Sequence, residues 1–436
     1  MGHHLSKAGY ARFVDRLNRF PQGAPPSETL FRILSVLVSE REAGLLAQIP
    51  MKPFTAEKAA RIWKVDLAEA QKVLDELAGR AMLVDMQRRG RTLYVLPPPM
   101  AGFFEFSLMR VREDLDQKVL SELFHQYLNV EDDFVRALFG TGETQLGRIF
   151  VLEAALPPAP TLEILDHERA SEVIRGSRDI GVGLCYCRHK KQHLGTACAA
   201  PLDICMSFGA AASSLVRHGH ARRVEVDEGL DLLQQAYELG LVQFGENVKR
   251  DVSFICNCCG CCCEALVAAR QFAMLHPVHT TDWLPELASE SCKGCGKCVA
   301  ACPVDALSLV SAHDPGRRAR KRAVLNEEVC LGCGVCVRAC PTGSVRLRRR
   351  EARTITPETS AHRYVLMAVE RGKLQHLIWD NRALWHHRAL AAVFGAVLRL
   401  PPVKQAMANE QLRSRYLDLL IKRQGRTVRP PAGRTP

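Results

Sequence analysis

The sequence lacks several features that would assign it to a familiar class. No apolar run approaches the ~18 residues that a membrane-spanning helix needs, and the longest covers residues 389–398. The first residues lack the apolar core of a secretory signal peptide. Acidic residues number 47 against 59 basic ones, so the formal net charge is +12. We therefore expect a cytoplasmic protein with no transmembrane segment, whose charge suits an acidic partner protein, nucleic acid or peripheral contact with an anionic membrane.

Nucleotide-binding loops are missing as well. Gly140-Thr141-Gly142 lacks the third glycine of a dinucleotide loop, and no phosphate-binding loop occurs anywhere in the chain. No set of residues suited to general acid–base catalysis stands out either. An enzymatic role would therefore depend on the cysteines.

Cysteine is abundant. The chain has 18 cysteines, and they are grouped rather than spread as a disulfide framework, which favours a reducing compartment. Two copies of the pattern C-x2-C-x2-C-x3-C-P lie 38 positions apart. The first copy consists of Cys292, Cys295, Cys298, Cys302 and Pro303, and the second of Cys330, Cys333, Cys336, Cys340 and Pro341.

These two copies resemble the bacterial two-[4Fe–4S] ferredoxin module, over about residues 287–350. The resemblance implies that three cysteines of each copy hold one cluster and the fourth crosses to the other. Cluster I would use Cys292, Cys295, Cys298 and Cys340, and cluster II would use Cys330, Cys333, Cys336 and Cys302. Two zinc sites are the alternative, but zinc has no use for the third cysteine of each loop or the trailing Cys-Pro. A basic arm, residues 317–322, separates the copies and indicates an acidic partner or a solvated loop.

The other ten cysteines lie upstream in two segments. They are Cys185, Cys187, Cys198, Cys205, Cys256, Cys258, Cys259, Cys261, Cys262 and Cys263. Six cysteines within eight residues are too dense for ordinary core packing, so we expect one or two further iron–sulfur clusters here, with zinc as the alternative. The first four cysteines could complete a single cubane, or the two segments could meet and share ligands.

The motifs CYCRHK and CNCCGCCC, joined to the two-cluster module, resemble a group of larger bacterial ferredoxin-like iron–sulfur proteins over about residues 180–350. That resemblance implies cofactor and redox role only. Cys258-Cys259-Gly260 also resembles the CCG motif of non-cubane cluster domains, although the wider spacing differs.

Cations surround the first upstream segment. Arg188, His189 and Lys190, with Lys191 and His193, would stabilise a reduced cluster or form a solvated helix face. Farther along, residues 226–240 have helical spacing and end at a glycine, which predicts a helix between the two cysteine segments.

Residues 27–98 have the pattern of a winged helix. Ser27 precedes a first helix, residues 55–63 form a second, and a third begins at Asp66 with Leu67 on its apolar face. Two strands with a basic turn at residues 88–91 follow. A winged helix often binds DNA, but acidic residues dominate this third helix, so we favour a protein-interaction or structural role over DNA binding.

We predict a multidomain α+β chain: an amino-terminal helix with a winged-helix-like domain (1–98), a helical connecting region (99–180), a cysteine-rich cluster-binding domain (181–284), a βαβ two-cluster ferredoxin domain (285–350) and a helical arm with a basic tail (351–436). The favoured function is electron transfer, in which the ferredoxin module relays single electrons to or from the upstream cysteines. A reductase centred on Cys256–Cys263 and a cluster-sensing DNA-binding regulator are the alternatives.

Overall fold

The computed structural model describes residues 8–140, 142–156, 169–312, 321–351, 356–380 and 385–398. Helices and small antiparallel sheets make up these ranges, in agreement with the predicted α+β class. Among the described residues, no helix is long and apolar enough to span a bilayer. Residues 317–320 of the predicted basic arm and the basic tail lie outside the described ranges.

Helices followed by one hairpin form the amino-terminal region. The elements are α1 (Ala8–Leu17), α2 (Glu28–Leu37), α3 (Glu40–Leu46), α4 (Ala56–Trp63), α5 (Leu67–Gly79), β1 (Val84–Arg88) and β2 (Arg91–Val95). Ser27, Thr55 and Asp66 each accept a hydrogen bond from the backbone N–H three residues on, because the first turn of a helix has unpaired donors. The predicted helix starts therefore lie at capping side chains.

Two details of this region differ from expectation. Helix α3 has no counterpart in the predicted pattern; it is one short element held by a reciprocal capping box between Ser39 and Glu42. Leu67 was expected on the buried face of α5, but it is 50% exposed. It occupies the first helical position, where the chain is still at the surface, and burial begins one turn later at Ala70.

The connecting region packs around aromatic side chains. It contains α6 (Gln117–His125) and α7 (Asp133–Phe139), with short helical turns at Pro99–Phe103, Phe104–Phe106, Gln126–Val130 and Glu153–Ala155. The Phe104 ring lies 4.9–6.4 Å, between ring centroids, from the rings of Phe103, Phe124, Tyr127 and Phe134. This cluster joins the core of the amino-terminal helices to the cysteine-rich region.

A six-stranded antiparallel sheet carries the upstream cysteines, in the order β3-β7-β8-β5-β4-β6. Its strands and helices are β3 (Gly147–Ile149), α8 (Ala170–Gly176), β4 (Ile180–Gly183), α9 (Tyr186–His193), β5 (Cys205–Phe208), α10 (Gly209–Arg217), β6 (Arg222–Val224), α11 (Val226–Glu238), β7 (Val242–Glu246), β8 (Phe254–Cys258) and α12 (Glu264–Gln271). The boundary that we placed at residue 180 coincides with the first residue of β4, and β3 joins this sheet from the connecting region. Helix α11 ends before Gly240, whose φ of +69° suits glycine at a helix end.

The ferredoxin-like segment consists of two strand pairs and two short helices. They are β9 (Trp283–Leu287), α13 (Lys297–Ala300), β10 (Leu307–Ser311), β11 (Lys321–Leu325), α14 (Val335–Ala339) and β12 (Val345–Arg349). Strand β9 pairs with β12 and β10 pairs with β11, both antiparallel. Each helix begins after the first two cysteines of one copy of the motif and contains the third, Cys298 or Cys336.

The carboxy-terminal arm packs against the rest of the chain. Its helices are α15 (Ser360–Glu370), α16 (Leu374–Ile378) and α17 (Trp385–Leu398). Arg363 and Glu246 form a buried ion pair at 2.8 Å between α15 and the end of β7. The rings of Trp379 and Phe394 lie 5.1 Å apart and hold α17 beside α16.

Strand β1 of the hairpin is held by the large sheet's helix α10. The Asp85 carboxylate accepts a hydrogen bond from the Ser214 hydroxyl at 2.6 Å and pairs with Arg217 and His218. The Asp85 backbone N–H also donates to the Ser214 hydroxyl at 3.2 Å. The hairpin is therefore fixed to the cysteine-rich region.

Candidate metal centres

The first copy of the repeated motif bends its cysteines around one pocket. The pocket is lined by Cys292, Cys295, Cys298 and Cys340, beneath Leu287, Leu309 and Val345. The loop turns at Gly294, whose φ is +63° and where a Cβ would collide with the backbone of Lys321. The fourth cysteine comes from the second copy, so the two copies are joined through this pocket.

The second copy forms a deeper group with Cys302. Burial raises the pKa of Cys330 to about 11 and that of Cys333 to about 12, and Cys302 adds to both shifts. Burial also raises the pKa of Cys336, with contributions from Cys333, Cys330 and Cys302. These thiols are protonated at neutral pH without metal, so metal binding there must release protons.

The two groups differ in exposure. Cys295 is exposed and Cys292 and Cys340 are half-buried, whereas Cys330 and Cys333 are buried. The second group also contacts the connecting region, because the Leu152 N–H donates to the Cys333 carbonyl at 3.0 Å. One end of the segment therefore faces solvent and the other faces the protein.

The upstream cysteines separate into two groups, each of which contains cysteines from both segments. The first group unites Cys198 with Cys259, Cys261 and Cys262, whose sulfur atoms all lie within 4.8 Å of one another. The Cys198 and Cys259 sulfurs are 3.5 Å apart, and those of Cys261 and Cys262 are 3.7 Å apart. Four thiols at this spacing fit one tetrahedral metal ion, whose cysteine ligands at about 2.3 Å lie about 3.8 Å from one another, and a cubane would need them to move farther apart. The structure does not bring Cys185, Cys187, Cys198 and Cys205 together as one set, because Cys198 turns toward the second segment.

The remaining six upstream cysteines surround one cavity of about 140 Å³. They are Cys185, Cys187, Cys205, Cys256, Cys258 and Cys263, which we call the six-cysteine ring. They come from the start of α9, the start of β5, the end of β8 and the start of α12. The sheet thus holds four elements that are far apart in sequence around one space.

A buried cation lies between the two upstream groups. Arg188 is 1% exposed, and its guanidinium donates to the carbonyls of Pro201 and Asn257. Burial alone would lower the pKa of Arg188, but the neighbouring thiolates of Cys185 and Cys259 raise it above its usual value. The solvated-face alternative is therefore wrong for this residue, since the helix turns it into the protein.

Lys190 and His189 are buried too. The Lys190 ammonium forms an ion pair with Glu264 at 2.5 Å, and Asn129 accepts a hydrogen bond from Lys190 and donates one to Glu264. His189 lies 2.7 Å from the Leu108 carbonyl oxygen. Because Glu264 directly follows Cys263, this network fixes the start of α12 beside the ring.

Within the sequence, residues 291–344 match a known family. That family is the 4Fe-4S dicluster domain. No curated protein and no solved structure matched the chain. The chain therefore carries an iron–sulfur, ferredoxin-like dicluster module, and upstream of it lies a group of four cysteines that could hold a metal ion.

The dicluster module touches the upstream cysteines directly. A Cβ at Gly260 would lie 2.6 Å from the carbonyl oxygen of Pro303 and 2.9 Å from its Cα. Gly260 lies between Cys259 and Cys261, and Pro303 follows Cys302. An ion pair between Arg270 and Asp305, at 2.7 Å, fastens the same two segments.

Sequence reasoning missed several residues of this site. Glu105 lines the cavity and accepts backbone hydrogen bonds from Ala101 at 2.7 Å and Gly102 at 3.1 Å. Burial raises its pKa to about 8. Nothing in its local sequence identifies Glu105 as a site residue. Gly260 differs, because a glycine inside a run of cysteines indicates that another backbone approaches closely.

Proposed function

We propose that this protein is a multi-cluster iron–sulfur electron-transfer protein in which the dicluster module exchanges single electrons with the upstream cysteine region. Cys292, Cys295, Cys298 and Cys340 would hold cluster I, Cys330, Cys333, Cys336 and Cys302 cluster II, and Cys198, Cys259, Cys261 and Cys262 an upstream cluster. Each cluster, when bound, accepts and releases one electron. The contact between Gly260 and Pro303 carries the proposal, since it leaves no room for a side chain between two cysteine-bearing segments.

The exposure of the module supports an order for these sites. Exposed Lys293 and Lys297 flank exposed Cys295, so this end presents positive charge to solvent. An acidic redox protein would dock there and be steered by that charge. The buried second group would then stand between the docking face and the upstream cysteines.

The amino-terminal helices and hairpin, which we take to be winged-helix-like, would serve as a protein-interaction or structural domain. Helix α5 exposes Asp75 and Glu76, which repel the phosphates of DNA. Strand β1 of the hairpin is bound to α10, because the Ser214 hydroxyl donates a hydrogen bond to Asp85. These contacts favour a structural role over sequence-specific regulation.

A reductase centred on Cys256–Cys263 is the second candidate. The observation that favours it is the largely apolar cavity beside these cysteines, lined also by Phe106, Met109 and Phe244. Turnover of a small substrate with a reduced low-potential donor would support this candidate over simple relay.

The relay is tested with Gly260→Ala. The added Cβ forces the Pro303 backbone away, so reduction of the upstream sites through the module should become several-fold slower. Stopped-flow mixing of anaerobic protein with a reduced donor would follow the absorbance of both sets of sites. Gly79→Ala is the matched control, because nothing lies within 4 Å of a Cβ at that position.

Unchanged upstream kinetics in Gly260→Ala, with full iron content, would contradict the relay. A loss of upstream iron would instead show that the contact is needed for cluster assembly. Iron and sulfide analysis of each variant separates these outcomes. About eight irons per chain in the parent protein would correspond to the dicluster module alone and would also contradict the relay.

A further inference from the structure

The six-cysteine ring differs from the other cysteine groups in the number of its thiols. Each of the other three groups brings four thiols together, which equals the requirement of one cubane. The ring brings six thiols to one cavity. One cubane would leave two of them over, and two separate cubanes would be two short.

The six thiols form a closed circuit. Cys185 interacts with Cys187 and Cys205, Cys205 with Cys256, and Cys256 with Cys258. Cys263 closes the circuit through its interactions with Cys187 and Cys258. Each thiol therefore interacts with two others of the ring, and none is left over.

All six cysteines line the same cavity. This placement is expected of a single set of ligands that faces one bound group.

Ordinary packing does not account for this arrangement. Protein interiors are filled at close to crystal density, and buried cysteines normally fill space as small hydrophobes. Here the thiols face a cavity about ten times the ~10–15 Å³ that a single water needs. The rest of the wall is mostly apolar, with Met100, Leu138 and Phe139 among its residues.

We propose that the six-cysteine ring holds one iron–sulfur cluster with more than four irons: two cubanes that are joined through a shared bridging ligand. Six cysteines would ligate six irons, and the bridge would complete the two that remain. Cysteine binds iron as the thiolate, so loading the ring releases protons. Arg188, which interacts with Cys185, Cys205 and Cys258, offsets part of the negative charge. This inference rests on the proposed iron–sulfur role of the upstream region.

The test is iron and acid-labile sulfide analysis of anaerobically purified, reconstituted full-length protein, together with Mössbauer spectra. The dicluster module, the four-cysteine site and the ring would give about 20 irons per chain. About 16 irons, of which Cys198→Ala loses about four, would show one cubane in the ring and overturn the proposal. About 12 would overturn it as well but leave the relay to the four-cysteine site intact, and about eight would contradict both. Zinc in the ring would overturn it too.

Matched variants assign the irons to their sites. Cys205→Ala removes one thiol of the ring and is expected to lose about eight irons together, because the two halves share a bridge. Cys198→Ala removes one thiol of the four-cysteine site and should lose about four. Loss of only about four irons, or none, from Cys205→Ala would overturn the shared cluster. The EPR signals of the dicluster module report whether each variant has folded. If a variant does not fold, the iron count of the parent protein decides whether the ring holds more than four irons.

Discussion

The dicluster module and the upstream region both group cysteines, but they bring them together from the sequence in different ways. The module draws each group mainly from one short loop, with a single thiol crossing over, and one of its groups lies at the surface. The upstream region draws its groups from strands and helix ends far apart in sequence. A regular spacing therefore encodes a local site, whereas the upstream sites depend on the whole sheet. We expect charges and packing around the upstream thiols to matter more than charges at the module surface.

The largest expected effect comes from the buried ion pair beside the ring. Lys190→Ala leaves Glu264 as an unpaired buried charge and should lower the free energy of unfolding by about 3–5 kcal/mol. Arg348→Ala in the module breaks an exposed pair with Glu327 and should cost about 0–1 kcal/mol. Anaerobic thermal melts of both variants would check the difference. Equal losses would remove the contrast between the two regions.

The second effect is electrostatic. Arg188→Gln removes the cation between the upstream groups but keeps a side chain of similar length. A reduced cluster carries more negative charge, which the Arg188 cation stabilises. Without this cation the reduction potential of the upstream sites should fall by roughly 50–100 mV, which corresponds to about 1–2 kcal/mol per electron. The module potentials should remain unchanged. Redox titration followed by EPR measures both sets in one sample, and an equal shift in both would contradict the placement of Arg188.

The smallest effect concerns the hairpin that is fixed to the upstream sheet. Burial alone would raise the pKa of Asp85, but Ser214, His218 and Arg217 together lower it below its usual value. A depressed folded pKa stabilises the protein above the ordinary carboxyl pKa of ~3.9, and the contribution is lost as pH falls through the folded value. Asp85→Asn should therefore cost about 1–2 kcal/mol at neutral pH and progressively less below about pH 4. Urea titrations at both pH values would test this, and a constant difference would refute it.

The sequence was most informative where local chemistry decides the structure. Side-chain caps at Ser27 and Asp66 predicted helix starts, because a cap needs only the next three residues. The two motif copies predicted an iron–sulfur module for the same reason, and the matching family supports it.

Long-range contacts limited the prediction elsewhere. The partner of Cys198 could not be known before β5 and β8 were seen to pair, since their pairing brings the two cysteine segments together. Lys190 looks like a surface residue in sequence, yet its partner Glu264 is 74 positions away. The strand β3 was likewise hidden in a region that otherwise has a helical pattern.

The close approach of Gly260 to Pro303 has a consequence for protein engineering. A ferredoxin module is often treated as a unit that can be exchanged between proteins. Here Pro303 of the first Cys-Pro pair packs against Gly260, where no side chain can be accommodated, and Arg270 forms an ion pair with Asp305 two residues farther on. In a chimera, the replacement module would have to keep both the backbone shape at Pro303 and the acidic residue at position 305. The module and the upstream region must therefore be redesigned together.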